Sequence, residues 1–356
     1  MTEPRAQTGS AGDPAATPDE LPPVYTTTPE EYGALRAHAA VGDRSARSRG
    51  TFAGAKSAEV LTGLVTNDVL ALTPGHGAYA AALTPKGKII ADVRIFARAA
   101  DFFVDVPPRA AAGWWAMVRK FVNPRLSRHA DVSRQTAELS VLGPKGGDVL
   151  RRALGEGAGA AEELPHFGHI ELATAHGPVT VGRVPDFGVE AYALWVAADA
   201  RDTVRQALVE AGARPVGSAA LEVARMEAGR PEWGEEMYET TIPQEANFDD
   251  LQAISYTKGC YTGQETVARV HFRGHVNRQL RGLRFNVDEP PEVKAGLFDA
   301  EGKNVGDVRS VALSPRLGGI ALAMVRRGVA PESEVDVRWD GAEVTARVVA
   351  LPFPQG

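Results

Sequence analysis

The chain has 356 residues, of which 44% are hydrophobic and 24% charged, and its formal net charge is −6. This length predicts two or three domains of a globular protein, and since no run of about 18 apolar residues occurs, a membrane-spanning helix is excluded. The acidic balance argues against a nucleic-acid-binding protein, and a single cysteine cannot form an internal disulfide, so we expect a reducing, cytoplasmic setting.

The first elements in chain order are a tail and two helices. Residues 1–28 predict a disordered tail, because prolines alternate with small polar residues and the apolar segment of a secretory signal is missing. Residues 29–41 predict a short helix with glutamates in its first turn. Residues 56–72 place apolar side chains at helical spacing and predict a second helix.

Two blocks of strands and helices follow. Residues 78–106 predict three strands joined by the turns TPKG and ARAAD, and residues 107–122 predict a helix that begins with two prolines. Residues 136–197 predict a strand, a helix and three further strands. Two more helices are predicted after them, with Asp199 and Ser218 as their N-caps.

The tight turns between these strands indicate antiparallel pairing, which predicts the α+β class. From Arg278 onward the pattern is nearly all β, and about five to seven short strands there predict a small closed antiparallel barrel. The predicted boundaries are a tail over 1–28, α+β blocks over 29–134 and 135–277, and a barrel over 278–356.

One short motif carries the chemistry: KGCYTGQE, residues 258–265, contains Cys260, the only cysteine of the chain. Gly259 and Gly263 allow backbone conformations that other residues avoid, and the following residues have helical character. A thiol close to Lys258 and to a helix N-terminus is biased toward the reactive thiolate. The alternative is that Cys260 is a small buried apolar residue, as most free cysteines are.

Positive charge gathers around this motif. From Lys258 to Arg284 there are six lysines or arginines against one acid, Glu265. The pattern predicts either a basic face that binds a polyanion or a solvated face with scattered ion pairs. The six cations are Lys258, Arg269, Arg273, Arg278, Arg281 and Arg284.

The motif resembles the K-G-C-Y-x-G-Q-E signature of the YgfZ family of folate-binding proteins, a branch of the glycine-cleavage T-protein (aminomethyltransferase) superfamily. The stretches TNDVLAL, GKIIADVRIF, ARMEAG and IPQE are similar to the same superfamily, so the resemblance covers about residues 30–352. It implies a three-domain, cloverleaf-like fold. Two interleaved α+β, ferredoxin-like domains and a C-terminal antiparallel β-barrel would surround a folate channel.

The function implied by the resemblance is that of an accessory protein that binds tetrahydrofolate or another reduced folate. It would support iron–sulfur cluster assembly or repair in cluster-dependent enzymes, including tRNA-modifying ones, with Cys260 as the functional thiol. One thiolate cannot hold a cluster alone, so an iron–sulfur client or assembly protein is the expected partner. Neither a metal site of its own, nor a membrane, nor direct nucleic-acid contact is expected, and whether the protein turns over a substrate stays open.

The resemblance also implies residue roles. The transferases carry two acids where this chain has Ala91 and Asp92, and our alignment assigns the missing acid as the catalytic one. Asp92 is then a ligand contact or an ordinary polar residue of a strand. Asp186 takes the place of a glutamate that binds the pterin ring, or is a turn residue. Arg225 contacts the glutamate tail of folate or braces its helix. The predicted folate-binding residues are Lys258, Gly259, Tyr261, Gly263, Gln264, Glu265, Asp186, Arg225 and Asp92.

Two other functions stay open. A folate-dependent aminomethyl or one-carbon transferase needs an acid to manage the proton on folate N10, and Ala91 argues against it. A cysteine-nucleophile enzyme without folate needs a base near Cys260. His271 follows along a helical segment and is not expected to contact the thiol, whereas His166 or His169 could supply the base from elsewhere in the fold.

Overall fold

The computed structural model describes residues 21–286 and 290–354. Seven α-helices occur within these ranges. They are α1 (Thr28–Ala37), α2 (Ser57–Leu64), α3 (Pro108–Phe121), α4 (Gly146–Leu154), α5 (Arg201–Glu210), α6 (Ser218–Glu227) and α7 (Gln264–Arg273).

The strands before residue 216 form two sheets. These strands are β1 (Ala40–Asp43), β2 (Ser48–Ala53), β3 (Gly77–Leu83), β4 (Ile89–Ala97), β5 (Phe102–Val106), β6 (Arg128–Asp131), β7 (Thr136–Leu142), β8 (His169–Thr174), β9 (Gly177–Arg183), β10 (Ala191–Ala197) and β11 (Arg214–Pro215). The first sheet has the order β3-β4-β5-β2-β6 and the second sheet the order β11-β1-β7-β10-β9-β8.

Two strands that the sequence patterns did not indicate, β1 and β2, tie the sheets together. β1 pairs antiparallel with β7 in the second sheet, whereas β2 pairs antiparallel with β5 in the first. The chain therefore contributes a strand to each sheet within residues 40–53, which confirms the interleaved α+β arrangement implied by the resemblance.

The two sheets face each other across a shared core, and each carries helices on its outer face. Tyr79 and Phe96 of the first sheet share this core with Trp195 of the second. On β4, by contrast, Ala91 and Val93 point outward into a separate core against the helices α2 and α3. Since side chains alternate along a strand, Asp92 and Arg94 of β4 point inward, between the sheets.

The C-terminal strands close into the predicted barrel. They are β12 (Arg278–Phe285), β13 (Gly296–Phe298), β14 (Asn304–Ser314), β15 (Gly318–Arg326), β16 (Glu334–Trp339) and β17 (Ala342–Val349). Their order is β12-β15-β14-β13-β16-β17, and β12 and β17 pair antiparallel to complete the ring. The predicted start of the barrel at Arg278 coincides with the start of β12.

Two predicted helices are shorter than expected. α1 ends at Ala37 because the chain enters β1 three residues later, and α2 ends at Leu64 because the next residue, Val65, forms a β-bridge with Ala82. The last residues of the first predicted helix belong to β1, whereas those of the second, after Val65, lie in bends and turns.

The predicted caps are also wrong. The N-cap position of α5 is Ala200, because a 3₁₀ turn over Ala198–Ala200 moves the start of the helix beyond Asp199. The N-cap position of α6 is Gly217, so Ser218 is already helical. The Gly217 N–H instead donates a hydrogen bond of 2.7 Å to Glu31 Oε2.

Part of the predicted tail belongs to the fold. Residues 1–20 lie outside the described residues, but the Ser218 and Ala219 amides donate hydrogen bonds of 2.9 and 3.1 Å to the carbonyls of Pro22 and Pro23. Across the described ranges, no helix combines the length and the apolar character needed to cross a membrane.

Candidate functional site

A small cavity, here called the central cavity, opens between the two sheets at the inward face of β4. Its volume is about 40 Å³, which is room for a few water molecules. Charged side chains dominate its wall, although it lies beside the apolar core that the sheets share. The lining residues are Arg44, Arg47, Tyr79, Asp92, Arg94, Pro107, Asp186, Phe187, Arg225, Arg230, Pro231 and Glu232.

Asp92 is the carboxyl group of β4 that reaches this cavity. Its side chain is buried, and Tyr79 donates a hydrogen bond of 3.0 Å to Oδ2. Oδ1 has no hydrogen-bond partner among the described residues although it is buried. Burial raises the pKa of Asp92 to about 6, against the opposing influence of Arg47. The unpartnered oxygen is therefore suited to a ligand N–H group, and the carboxyl group can exchange a proton near neutral pH.

The position of Ala91 corrects an argument drawn from the sequence. Ala91 is fully buried in the outer core with Leu61 and Trp114, so an acid at that position would point away from the central cavity. The absence of an acid at residue 91 therefore removes no carboxylate from the cavity. Of the two residues, Asp92 is the one that lines the cavity.

Asp186 reaches the cavity from the loop between β9 and β10. Its Oδ2 accepts a hydrogen bond of 3.1 Å from Arg44 Nη1 and a second one from Arg94 Nη2. Burial alone would raise the pKa of Asp186, but the guanidinium groups of Arg94 and Arg44 hold this pKa below its ordinary value. Asp186 is therefore ionised at neutral pH.

A buried ion network lies behind these two carboxyl groups. Arg47 Nε donates to Asp105 at 2.7 Å, and Arg94 Nη1 donates to the same carboxylate at 2.9 Å and to Glu138 at 3.4 Å. Asp105 and Glu138 are fully buried, one in each sheet. The network replaces apolar packing between the sheets and fixes the side chains that border the cavity.

Apart from Arg225, the arginines of the cavity were not predicted from the sequence. Arg44 and Arg47 lie in the connection between β1 and β2, where no strand pattern was recognised, and Arg230 follows α6. Arg94 could have been found, because it is two residues from Asp92 on a predicted strand and so shares its face.

Arg225 borders the same cavity but is engaged within the protein. Its Nη1 donates to Glu236 Oε2 at 2.9 Å, and its Nε donates to Glu222 Oε2 at 2.9 Å. Glu236 is fully buried. Of the two roles open from the sequence, these contacts support the one in which Arg225 braces α6 against the following loop.

The KGCYTGQE motif lies elsewhere, against the end of α2. Lys258 Nζ donates to the carbonyl oxygens of Thr62 and Val65, the second at 2.7 Å, and lies 4.5 Å from the centre of the Tyr261 ring. Burial lowers the pKa of Lys258 to about 8. Lys258 thus joins the motif to the C-terminal end of a helix in the first sheet domain, where a cation is favoured.

Within the motif, the thiol is on the surface. Cys260 is a free, exposed cysteine, and a Cβ at Gly259 would meet nothing within 4 Å. Gly263 has φ +83° and its Cα lies so close to the β3–β4 turn that a Cβ would be 2.6 Å from Thr84 O. Gln264 Oε1 accepts a hydrogen bond of 3.3 Å from the Tyr261 amide. Glu265 is exposed in the first turn of α7.

The predicted site residues therefore fall into two groups. The structure brings Asp92, Asp186 and Arg225 together at the central cavity. The motif residues Lys258 to Glu265 do not line that cavity. Tyr261 is the link between the groups, since its buried ring belongs to the core that also contains Tyr79.

The cations of the predicted basic face do not form one continuous surface, because some of them are engaged in contacts within the protein. Lys258 is turned into the protein, and Arg278 forms an ion pair of 3.0 Å with Glu245. Arg269 and Arg273 stay exposed on α7. This arrangement is the solvated face with scattered pairs rather than a continuous basic surface.

Two of the histidines considered as bases for Cys260 pack against aromatic rings. His169 is buried against the Phe96 ring, with centroids 5.6 Å apart, and burial lowers the pKa of His169 to about 4. His271 is stacked on Tyr256 at 3.6 Å. Within the described ranges, no cluster of three His, Cys, Asp or Glu side chains could hold a metal ion.

Comparisons with known proteins cover both halves of the fold. Residues 15–254 match the family model for the GCVT N-terminal domain, and residues 278–354 match the model for the glycine cleavage T-protein C-terminal barrel domain. An aminomethyltransferase of Saccharopolyspora erythraea is 28% identical over 343 residues, covering 94% of this chain and 91% of that protein. One of Geobacillus kaustophilus is 28% identical over 343 residues, covering 94% and 92%. The crystal structure of glycine cleavage system aminomethyltransferase T from Bartonella henselae superimposes with a TM-score of 0.83 at 22% identity, covering 92% and 89%.

Proposed function

Because this chain belongs to the glycine cleavage T-protein family, we propose that it binds tetrahydrofolate, or another reduced folate, at the central cavity and supports iron–sulfur enzymes through Cys260. Aminomethyltransferases of this family use tetrahydrofolate. The folate half of the proposal rests on family membership and on the cavity. The iron–sulfur half rests on the YgfZ-type motif and on the exposed thiol.

The observation that supports folate binding is the unpartnered Oδ1 of Asp92, buried at the cavity wall. A buried acceptor without a partner is costly, and a ligand that donates an N–H group there removes the cost. The ionised Asp186 adds a second acceptor that matches the N–H donors of a reduced pterin. A pterin ring needs more than 40 Å³, so the partly exposed side chains of Arg44 and Arg230 must move aside on binding.

The observation that supports a thiol function is the way the motif presents Cys260. Lys258 and Gly263 fix the backbone on either side against the first sheet domain, and the sulfur between them is exposed. A single thiolate completes a cluster site only with ligands from a second protein. Transient contact with an iron–sulfur client is the role that fits one exposed sulfur on a fixed loop.

Anaerobic calorimetry with tetrahydrofolate tests the folate half. We expect saturable binding to the wild type and roughly tenfold weaker binding to Asp186→Asn, which loses the ionised acceptor. Asp250→Asn, at an exposed position outside the cavity, is the matched control and should bind as the wild type does. No heat with the wild type would remove folate from the proposal.

The thiol half is tested in cells that lack the wild-type gene. Cys260→Ser should fold and bind tetrahydrofolate as the wild type does, yet leave iron–sulfur enzymes with reduced activity. Thr262→Ser, on the same loop, controls for small changes in the backbone. If Cys260→Ser restores iron–sulfur enzyme activity fully, the sulfur has no part in the function.

A second candidate is aminomethyl or one-carbon transfer. The position of Asp92 at the cavity favours this function. Burial raises the pKa of Asp92 to about 6, which suits proton transfer near neutral pH. The protein would be incubated with tetrahydrofolate and an aminomethyl-loaded lipoyl carrier protein. Formation of methylenetetrahydrofolate that is abolished in Asp92→Asn would favour transfer over the accessory role.

A further inference from the structure

A basic surface with two exposed apolar side chains lies where α3 ends. Residues 106–130 contain five lysines or arginines and no aspartate or glutamate, although the whole chain carries a net charge of −6. Four of these cations are exposed within residues 119–128, together with two large apolar side chains. We call this surface the α3 patch, and its members are Arg119, Lys120, Phe121, Arg125, Leu126 and Arg128.

The cations of the α3 patch have no carboxylate partner within the described residues, since none of the four forms an ion pair there. The C-terminal end of α3 favours positive charge, which accounts for Arg119 and Lys120 in its last turn. Arg125 and Arg128 follow the helix, so its end does not account for them. Asp131, the next acid along the chain, accepts hydrogen bonds from Ser133 instead. The positive charge of the patch is therefore available to a negatively charged partner.

The apolar members of the patch are placed among these cations. Phe121 and Leu126 are each 49% exposed, and Lys120 Nζ lies 5.1 Å from the centre of the Phe121 ring. Protein interfaces are enriched in aromatic side chains and arginine and depleted in acids. The α3 patch, with one phenylalanine, three arginines and no acid, has this composition.

The turn that carries the patch is fixed by local contacts. The Leu126 and Ser127 amides donate to Asn123 O at 2.9 and 3.1 Å, and the Ser127 hydroxyl is hydrogen-bonded to the Ser57 hydroxyl at 2.8 Å. A Cβ at Gly54 would lie 3.0 Å from Leu126 O, so the turn packs closely against the loop between β2 and α2. Because the surface is already shaped, binding a partner costs little ordering of the backbone.

We propose that the α3 patch is a docking surface for an acidic protein that presents carboxylates around an apolar side chain. The carboxylates pair with the arginines, and the apolar side chain covers Phe121 and Leu126. An acidic protein is favoured over a membrane surface because the apolar face of α3 is not free. Trp114 and Val118 are buried in the core against the first sheet, whereas a helix that binds a membrane surface needs its apolar face for the lipid.

The position of the patch separates docking from ligand binding. Pro107, directly before α3, lines the central cavity, whereas Phe121 is the last residue of this 14-residue helix. A helix of that length spans about 21 Å, so the partner docks far from the cavity wall. Docking at the α3 patch therefore does not depend on folate binding.

Fluorescence polarisation with a labelled synthetic peptide tests the docking surface. In the peptide, glutamates flank a leucine and a phenylalanine, and a second peptide of equal charge has serine in place of both. We expect saturable binding of the first peptide to the wild type, weaker at high salt, and roughly tenfold weaker binding of the second. Arg125→Glu combined with Arg128→Glu should weaken binding of the first peptide by roughly tenfold or more.

The matched control is Lys303→Glu combined with Arg327→Glu, at exposed positions of the barrel domain. It changes the net charge by the same amount and should bind the first peptide as the wild type does. Equal losses in the two double variants would overturn the docking surface, because overall charge would then explain the binding. Failure of the wild type to bind the first peptide would overturn it as well. Thermal unfolding at the wild-type temperature shows that each variant is folded.

Two further measurements address other occupants of the patch. Sedimentation with vesicles that contain phosphatidylserine detects membrane binding, and analytical ultracentrifugation of the protein alone detects a second copy. If Arg125→Glu with Arg128→Glu abolishes vesicle binding or self-association but leaves peptide binding unchanged, the patch serves a membrane or a second copy and not an acidic protein. Wild-type protein that stays monomeric and free of vesicles, yet binds the peptide, supports the acidic partner.

Discussion

Tyr79 donates its hydroxyl hydrogen to Asp92 Oδ2 across the β3–β4 pair, at 3.0 Å. The Tyr79 ring is stacked on Phe248, with centroids 5.3 Å apart, and on Phe167 at 6.2 Å. Because this stacking fixes the ring, the hydroxyl holds one oxygen of Asp92 and leaves the other for the cavity. The aromatic packing of the core therefore determines which oxygen of Asp92 is free to meet a ligand.

Tyr79→Phe should raise the pKa of Asp92 by about one unit. The hydroxyl favours the ionised carboxylate, so its removal works in the same direction as burial, which already raises the pKa of Asp92 to about 6. The aromatic stacking is retained in this variant. Carboxyl ¹³C NMR titration measures the change, and an unaltered midpoint would show that the hydrogen bond has no influence on the proton of Asp92.

Asp92→Asn should stabilise the protein at neutral pH. A carboxyl group whose pKa is raised in the folded state favours folding while protonated, and this contribution is lost as pH rises from about 4 to about 6. The asparagine carries no charge at any pH, so the free energy of unfolding should exceed that of the wild type by up to about 3 kcal/mol above pH 6 and match it below pH 4. Urea denaturation at pH 4 and pH 7.5 measures both values. Asp250→Asn should show no such pH-dependent difference.

Asp105→Asn should destabilise the protein by about 3–5 kcal/mol, because it leaves the buried Arg47 and Arg94 without their shared carboxylate. The matched comparison is Glu59→Gln, which breaks an exposed ion pair of 2.6 Å with Lys56 and should cost less than about 1 kcal/mol. Urea denaturation of the three proteins gives the values. Similar losses in both variants would mean that the network between the sheets adds nothing beyond a surface pair.

Lys258→Met should release the motif from α2. We expect a loss of about 1–2 kcal/mol from the two hydrogen bonds to carbonyl oxygens. Tetrahydrofolate affinity should stay within about twofold, since Lys258 does not line the central cavity. Lys56→Met, at an exposed lysine before α2, is the control. A large loss of folate affinity in Lys258→Met alone would place the motif in the folate site.

The alternation of side chains along β4 shows where prediction from sequence ends. The pattern IIADVRIF identifies a strand and requires residues 91 and 92 to face opposite ways. It cannot say which face meets a core of helices and which meets the second sheet, because both neighbours come from distant parts of the chain. The alignment therefore placed the catalytic acid of the transferases at position 91, whereas the packing of Ala91 in the outer core leaves Asp92 as the residue of this pair that faces the cavity.

The sequence by itself determined the α+β class, the closed barrel from Arg278, the turn between β3 and β4, and α7 after KGCYTGQE, because local periodicity and turn residues specify such elements. Only the tertiary structure decided that Arg44, Asp92 and Asp186 meet at one cavity while Lys258 turns toward α2. Arg44 and Asp186 are joined across the fold although 142 residues separate them in the chain. Contacts of that range depend on how the sheets pack against each other, which is information that no single segment carries.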